Sequence, residues 1–182
     1  MKLGSITLLS LALACAAACG GNDAPAPTCS GTGCACVDTA CTCTVGADCK
    51  ADCGTGDCSL NCADSTKCQG QTTGALTLTC NDSSDCKGAG GDASDVTCTA
   101  SSSCDFKLGA MSSAVCSTSA TCKLQLGTAS TAACSDSTNC NVKCEGDCKT
   151  TCTGSAVCAV TCGAGGTAAT VCSTGVYACG PC

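Results

Sequence analysis

Residues 97–114 read TCTASSSCDFKLGAMSSA, and the frame they set returns every 18 residues on both sides. Upstream stand NCADSTKCQGQTTGALTL (61–78) and TCNDSSDCKGAGGDASDV (79–96). Downstream stand VCSTSATCKLQLGTASTA (115–132), ACSDSTNCNVKCEGDCKT (133–150) and TCTGSAVCAVTCGAGGTA (151–168). Cys62, Cys80, Cys98, Cys116, Cys134 and Cys152 share one position of the block. Cys68, Cys86, Cys104, Cys122, Cys140 and Cys158 share the position six residues later. Between them runs an unbroken column of Ser65, Ser83, Ser101, Ser119, Ser137 and Ser155. Cys43 and Cys49 continue the pattern backward with a one-residue slip, and Cys172 continues it forward with a two-residue slip.

A strict period of this length, without helix-length apolar stripes, predicts an all-β solenoid with one coil per block. Local alternation supports strands. Leu76, Leu78 and Cys80 alternate with polar residues, as do Cys122, Leu124 and Leu126, or Cys140, Val142 and Cys144. Period two places such residues on one inward face. Gly109, Gly127 and Ser130 suit the corners. A helical bundle fits badly, because Ser, Thr, Gly and Asp dominate where helix formers are needed.

The two cysteines of each block cannot be joined by extended chain. Six residues would span ~20 Å, whereas disulfide-bonded Cα atoms lie ~5.5 Å apart. The chain therefore turns between them, with the serine near the bend and its column expected to face inward. Pairing in order gives Cys43–Cys49, Cys62–Cys68, Cys80–Cys86, Cys98–Cys104, Cys116–Cys122, Cys134–Cys140 and Cys152–Cys158. Each bond would contribute roughly 2–2.5 kcal/mol by chain entropy. Such bonds are expected to replace an apolar core that Ala and Ser cannot build. Eight or nine coils at ~4.8 Å spacing would make a rod roughly 40 Å long. Added cysteines near both ends, Cys53 and Cys58 at one and Cys144 and Cys148 at the other, suggest caps against fraying. Their pairing does not follow from sequence.

Composition narrows function by exclusion. Among 182 residues there are 28 Cys, no His, no Trp, one Tyr and one Phe, and the net charge is -6. All 8 basic residues are Lys. Nucleic-acid binding, which rests on clustered Lys and Arg, is not expected. No His is present to activate any of the serines. The carboxylates, among them Asp48, Asp52, Asp57, Asp64, Asp82, Asp85, Asp92 and Asp95, read as a solvated surface at corners. No catalytic residue, cofactor or resident metal is expected. Cys34-Ala35-Cys36, Cys41-Thr42-Cys43 and Cys179-Gly180-Pro181-Cys182 have spacings that soft metals accept. Without His, and with an even cysteine count, disulfides are the simpler assignment.

The N-terminus reads as an address. Lys2 precedes an uncharged apolar run, Leu3 to Ala18, too short to span a bilayer. Ala16-Ala17-Ala18-Cys19 resembles the lipobox of bacterial lipoproteins, with Ala16 where that family usually has Leu. The resemblance implies cleavage before Cys19 and a lipid on its sulfur. Gly20 at the following position implies the outer membrane, with the membrane itself as one partner and an envelope or extracellular partner of unknown identity. Residues 1–18 are then the signal, 19–28 the lipidated cysteine with its tether, and 29–182 the repeat domain. Setting aside Cys15 and Cys19 leaves 26 cysteines, enough for 13 disulfides. Export supplies the oxidising compartment in which they persist.

The Cys-Thr-x-Ser-x-x-Cys unit, clearest at Cys98–Cys104 and Cys152–Cys158, resembles the repeat of beetle antifreeze proteins. That resemblance implies a disulfide-braced solenoid, right-handed in that family, with ranks of threonine that bind ice. The ranks are broken here: Thr-Thr flanks the first cysteine only at Cys98 and Cys152. The expected role is therefore a lipid-anchored structural or interaction rod of the cell envelope, with ice binding or metal sequestration by thiols as the alternative.

Overall fold

The computed structural model describes residues 26–44, 46–64 and 66–182. The signal segment, Cys19, most of the tether and Ser65 lie outside the described residues. Thr28, at the end of the expected tether, already belongs to a strand.

The chain is an all-β solenoid of about seven turns with 18-residue spacing, and the described residues contain no helix. Each coil contributes one strand to each of two sheets. The first sheet has nine strands, with Lys67–Gln71, Asp85–Gly90, Ser103–Leu108, Thr121–Leu126 and Asn139–Cys144 at its centre. The second has ten, with Cys58–Cys62, Leu76–Cys80, Asp95–Cys98, Ser113–Cys116 and Ser130–Cys134 at its centre. Central neighbours pair parallel and in register, so Cys104 stands beside Cys86 and Cys122, and Cys116 beside Cys98 and Cys134.

The ends are not further coils. Thr28–Ser30 pairs antiparallel with Asp48–Asp52, and Cys34–Val37 folds back antiparallel on Ala40–Cys43. At the other end Thr167–Ala168, Thr170–Ser173 and Val176–Cys179 all pair antiparallel. Cys172 therefore does not continue the parallel repeat, and the body has about seven turns rather than eight or nine. With the cap strands added, the nine- and ten-stranded sheets still extend roughly 40 Å. Short antiparallel caps suit the ends because they leave brief, protected edges.

Parity accounts for the register of the interior. Every buried residue from Cys58 to Val160 carries an even number. Alternation has period two, the block is even, and the corners preserve the phase. The serine column sits three residues after the first cysteine, an odd offset, and it faces outward. Ser83, Ser101, Ser119, Ser137 and Ser155 are exposed, which corrects the inward placement. The inward corner residues are instead Thr66, Ser84, Ser102, Ala120 and Thr138. The reversal is made by two left-handed residues in succession, such as Ala100 (φ 54°) and Ser101 (φ 62°). The Ser102 N–H then donates to Thr99 O at 3.2 Å. Positive φ at both central residues with this bond makes a type I′ turn.

The interior is more apolar than composition suggested. Leu60, Leu76, Leu78, Phe106, Leu124 and Leu126 are all at or below 1 % exposure and join the sulfurs in one cluster. Sulfur shares the core rather than replacing it. Volumes are matched across the two sheets. Stacked inward on the second sheet are Leu60, Leu78, Val96, Ala114 and Ala132. Opposite them on the first sheet are Gly70, Gly88, Phe106, Leu124 and Val142. A Cβ on Gly70 would stand 3.2 Å from Leu76 and 3.4 Å from Leu78. Leucine faces glycine at one end and alanine faces leucine or valine at the other, and bulk passes from one side to the other where Val96 stands opposite Phe106, as close packing requires.

Candidate functional site

The chemistry this chain carries in quantity is sulfur, and the structure fixes its state. All 26 cysteines from Cys29 to Cys182 lie in 13 disulfides. Cys80–Cys86, Cys98–Cys104, Cys116–Cys122 and Cys134–Cys140 each bridge a corner with two left-handed residues in succession, and Cys43–Cys49, Cys62–Cys68 and Cys152–Cys158 bridge the corresponding corners of the outer coils. The added cysteines pair as Cys53–Cys58 and Cys144–Cys148 across the opposite corner. Cys29–Cys34 and Cys36–Cys41 brace one cap. Cys162–Cys179 and Cys172–Cys182 brace the other, so the terminal Cys-Gly-Pro-Cys is split between two bonds and is not a dithiol pair.

Stacking brings sulfurs of neighbouring coils together. Cys98, Cys104 and Cys122 place their Sγ atoms within 4.8 Å of one another, as do Cys116, Cys122 and Cys140. Each is already bonded to sulfur, and metal ligation requires the thiolate. These triplets form a buried spine of cross-links.

The opposite corner, where Ser130 was expected, is held by inward hydroxyls, and Ser94 and Ser112 join it there without having been expected. Ser94, Ser112 and Ser130 stand 18 residues apart and are buried. The N–H groups of Leu76, Ser94 and Ser112 donate to the Oγ atoms of Ser94, Ser112 and Ser130 at 3.0, 3.2 and 3.0 Å. Ser94 Oγ donates in turn to Gly91 O at 2.7 Å, and Ser112 Oγ to Gly109 O at 2.9 Å. Even spacing from the leucines was the available signal. Among the described buried side-chain nitrogens and oxygens, only Thr150 Oγ1 lacks a partner.

The carboxylates divide between two placements. Asp57 and Asp92 sit at corners and accept from the N–H groups of Ala75 and Ala110, one coil on, at 2.9 and 2.7 Å. Asp48, Asp52, Asp85, Asp95 and Asp105 lie within strands instead of at corners. On the outer face of the first sheet Asp48, Asp85 and Asp105 interleave with lysine. Asp48, Lys67 and Asp85 are in register, and so are Lys87, Asp105 and Lys123. Parallel register would stack like charges one strand spacing apart, which alternation avoids. Lys123 Nζ lies 3.0 Å from Asp105, Lys87 3.8 Å from Asp85, and Lys107 3.9 Å from Glu145. The outer face of the second sheet is nearly neutral. Its column Asn61, Thr79, Thr97, Val115, Ala133 and Thr151 stacks in register, with two threonines in succession before the run is interrupted.

Comparisons with protein-family models, curated proteins and solved structures find no match for this chain.

Proposed function

We propose that this chain is an exported, lipid-anchored rod of the cell envelope, non-catalytic, whose role is to space or dock other envelope material. The observation that carries the reading is the complete pairing of the 26 cysteines beyond Cys19. Bonds of this kind form and persist in an oxidising compartment. A rod with both edges closed by antiparallel caps suits a spacer, because it presents little edge for uncontrolled growth. The anchor rests on Ala16-Ala17-Ala18-Cys19, and several acyl chains give attachment that one cannot. Metal sequestration finds no free thiolate among the described cysteines. For ice, the interruption at Val115 and Ala133 predicts no thermal hysteresis.

Intact mass measurement with and without reduction tests the proposal. The expected mature chain begins at an acylated Cys19, takes no thiol label before reduction and takes 26 labels after it. Thiols reactive without reduction, or an unprocessed and unacylated N-terminus, would overturn it.

A further inference from the structure

We propose that the outer face of the first sheet binds an anionic glycan in a groove between Lys107, Lys123 and Lys143. This names the partner chemistry of the docking role above and rests on that reading.

Lysine is distributed unevenly. Of seven in the described residues, six point outward from the first sheet and only Lys149 belongs to the second. In a chain of net charge -6, this face is where an anion meets the least repulsion. Its two halves differ. Near the N-terminal end Lys67 stands in register between Asp48 and Asp85, and Lys50 shares its strand with Asp48 and Asp52. Toward the other end the column Lys107, Gln125, Lys143 and Thr161 contains no acid. Lys123 stands beside Gln125 on the same strand, so three ammonium groups surround one amide.

The acids facing this cluster are Asp105, held by Lys123 at 3.0 Å, and Glu145, which pairs with Lys107 at 3.9 Å and accepts from Gln125 Nε2. Lys143 has no ion pair among the described residues. A groove of about 280 Å³ opens here, lined by the three lysines with Gln125, Asn141, Thr161 and one carboxylate, Asp105, which Lys123 neutralises. Ammonium, amide and hydroxyl groups recognise charge and hydroxyls. The one aromatic at the groove, Phe106, is 1 % exposed, so no stacking platform exists for nucleobases. A carboxylate- or phosphate-bearing saccharide fits this donor set. Register repeats the donors along the rod axis at ~4.8 Å, which suits a linear polymer lying along it.

The test uses the full lipidated chain in detergent, with polygalacturonate, a phosphomannan and neutral dextran as probes. Binding to either acidic polymer is expected, and the pair distinguishes carboxylate from phosphate as the anion recognised. The triple variant Lys107→Gln/Lys123→Gln/Lys143→Gln should lose about tenfold or more in affinity. The control Lys50→Gln/Lys67→Gln/Lys87→Gln, which removes the same charge from the same face, should stay near wild type. Equal losses in both variants, equal binding of dextran, or no binding of either acidic polymer would overturn the groove. If mass measurement finds no lipid while acidic polymer still binds, the envelope reading fails and the groove stands.

Discussion

The middle coils and the end coils solve one corner in different ways. From coil to coil the inward residue there runs Cys58, Leu76, Ser94, Ser112, Ser130, Cys148. In the middle, each serine accepts an N–H from the coil before it and donates to a carbonyl at a corner. Such a ladder needs a neighbour on both sides. Toward the ends that neighbour gives way to an antiparallel cap, and disulfides Cys53–Cys58 and Cys144–Cys148 take the serine's place. Hydrogen bonds hold where the repeat continues, and covalent bonds hold where it stops.

The sharpest way to break the contrast is in packing. Phe106 sits where bulk crosses from one sheet to the other and is 1 % exposed, whereas Val160 near the end is 8 % exposed. Phe106→Ala should cost about 3–5 kcal/mol, and Val160→Ala less, by roughly the difference in buried volume. Chemical unfolding with disulfides intact measures both. A smaller loss at Phe106 than at Val160 would mean that the interior is not matched across the sheets.

Next come the cross-links. Cys98→Ser/Cys104→Ser removes a bond with coils stacked on both sides and should lower global stability by roughly 2–2.5 kcal/mol. Cys144→Ser/Cys148→Ser closes a similarly short loop, yet its loss should act locally. Hydrogen exchange should quicken in Asn139–Cys144 and Cys148–Cys152 while Leu76–Cys80 keeps its protection. Uniform loss of protection in both variants would erase the distinction between middle and end.

Much of this was legible in the sequence because the period is strict. Fold class follows from the cysteine columns, and burial at Leu76, Leu78, Leu124 and Val142 follows from alternation. Two features were not. The ends break the period, and whether Cys172 starts a coil or a hairpin depends on pairing across space, which no local spacing encodes. The serine column drew attention by its constancy, but constancy carries no direction. Counting residues by twos from Cys98 leads to Ser102, not Ser101, and burial follows that count. Ser94, Ser112 and Ser130 were available by the same count, yet serine does not advertise burial.

The ladder gives a third contrast. Ser112→Ala removes the acceptor for the Ser94 N–H and leaves that donor buried without a partner, a cost of about 1–3 kcal/mol. Ser119→Ala, on the exposed column, should stay within about 0.5 kcal/mol. Similar values for the two would mean that the hydroxyl ladder holds nothing.

The smallest effect has the opposite sign. Ser101 holds φ 62° at an exposed corner, a conformation that disfavours any residue with a Cβ. Its N–H already donates to Thr118 O at 2.9 Å, a bond glycine would keep. Ser101→Gly relieves the left-handed conformation and also loosens the unfolded chain, two terms of similar size and contrary sign. A net gain of up to about 0.5 kcal/mol is expected, because the disulfide Cys98–Cys104 limits the unfolded freedom of this loop. Ser102→Gly, one residue on and buried, should instead destabilise. If the signs at 101 and 102 were reversed in unfolding measurements, the parity that orders the interior would be wrong at the corner on which every coil depends.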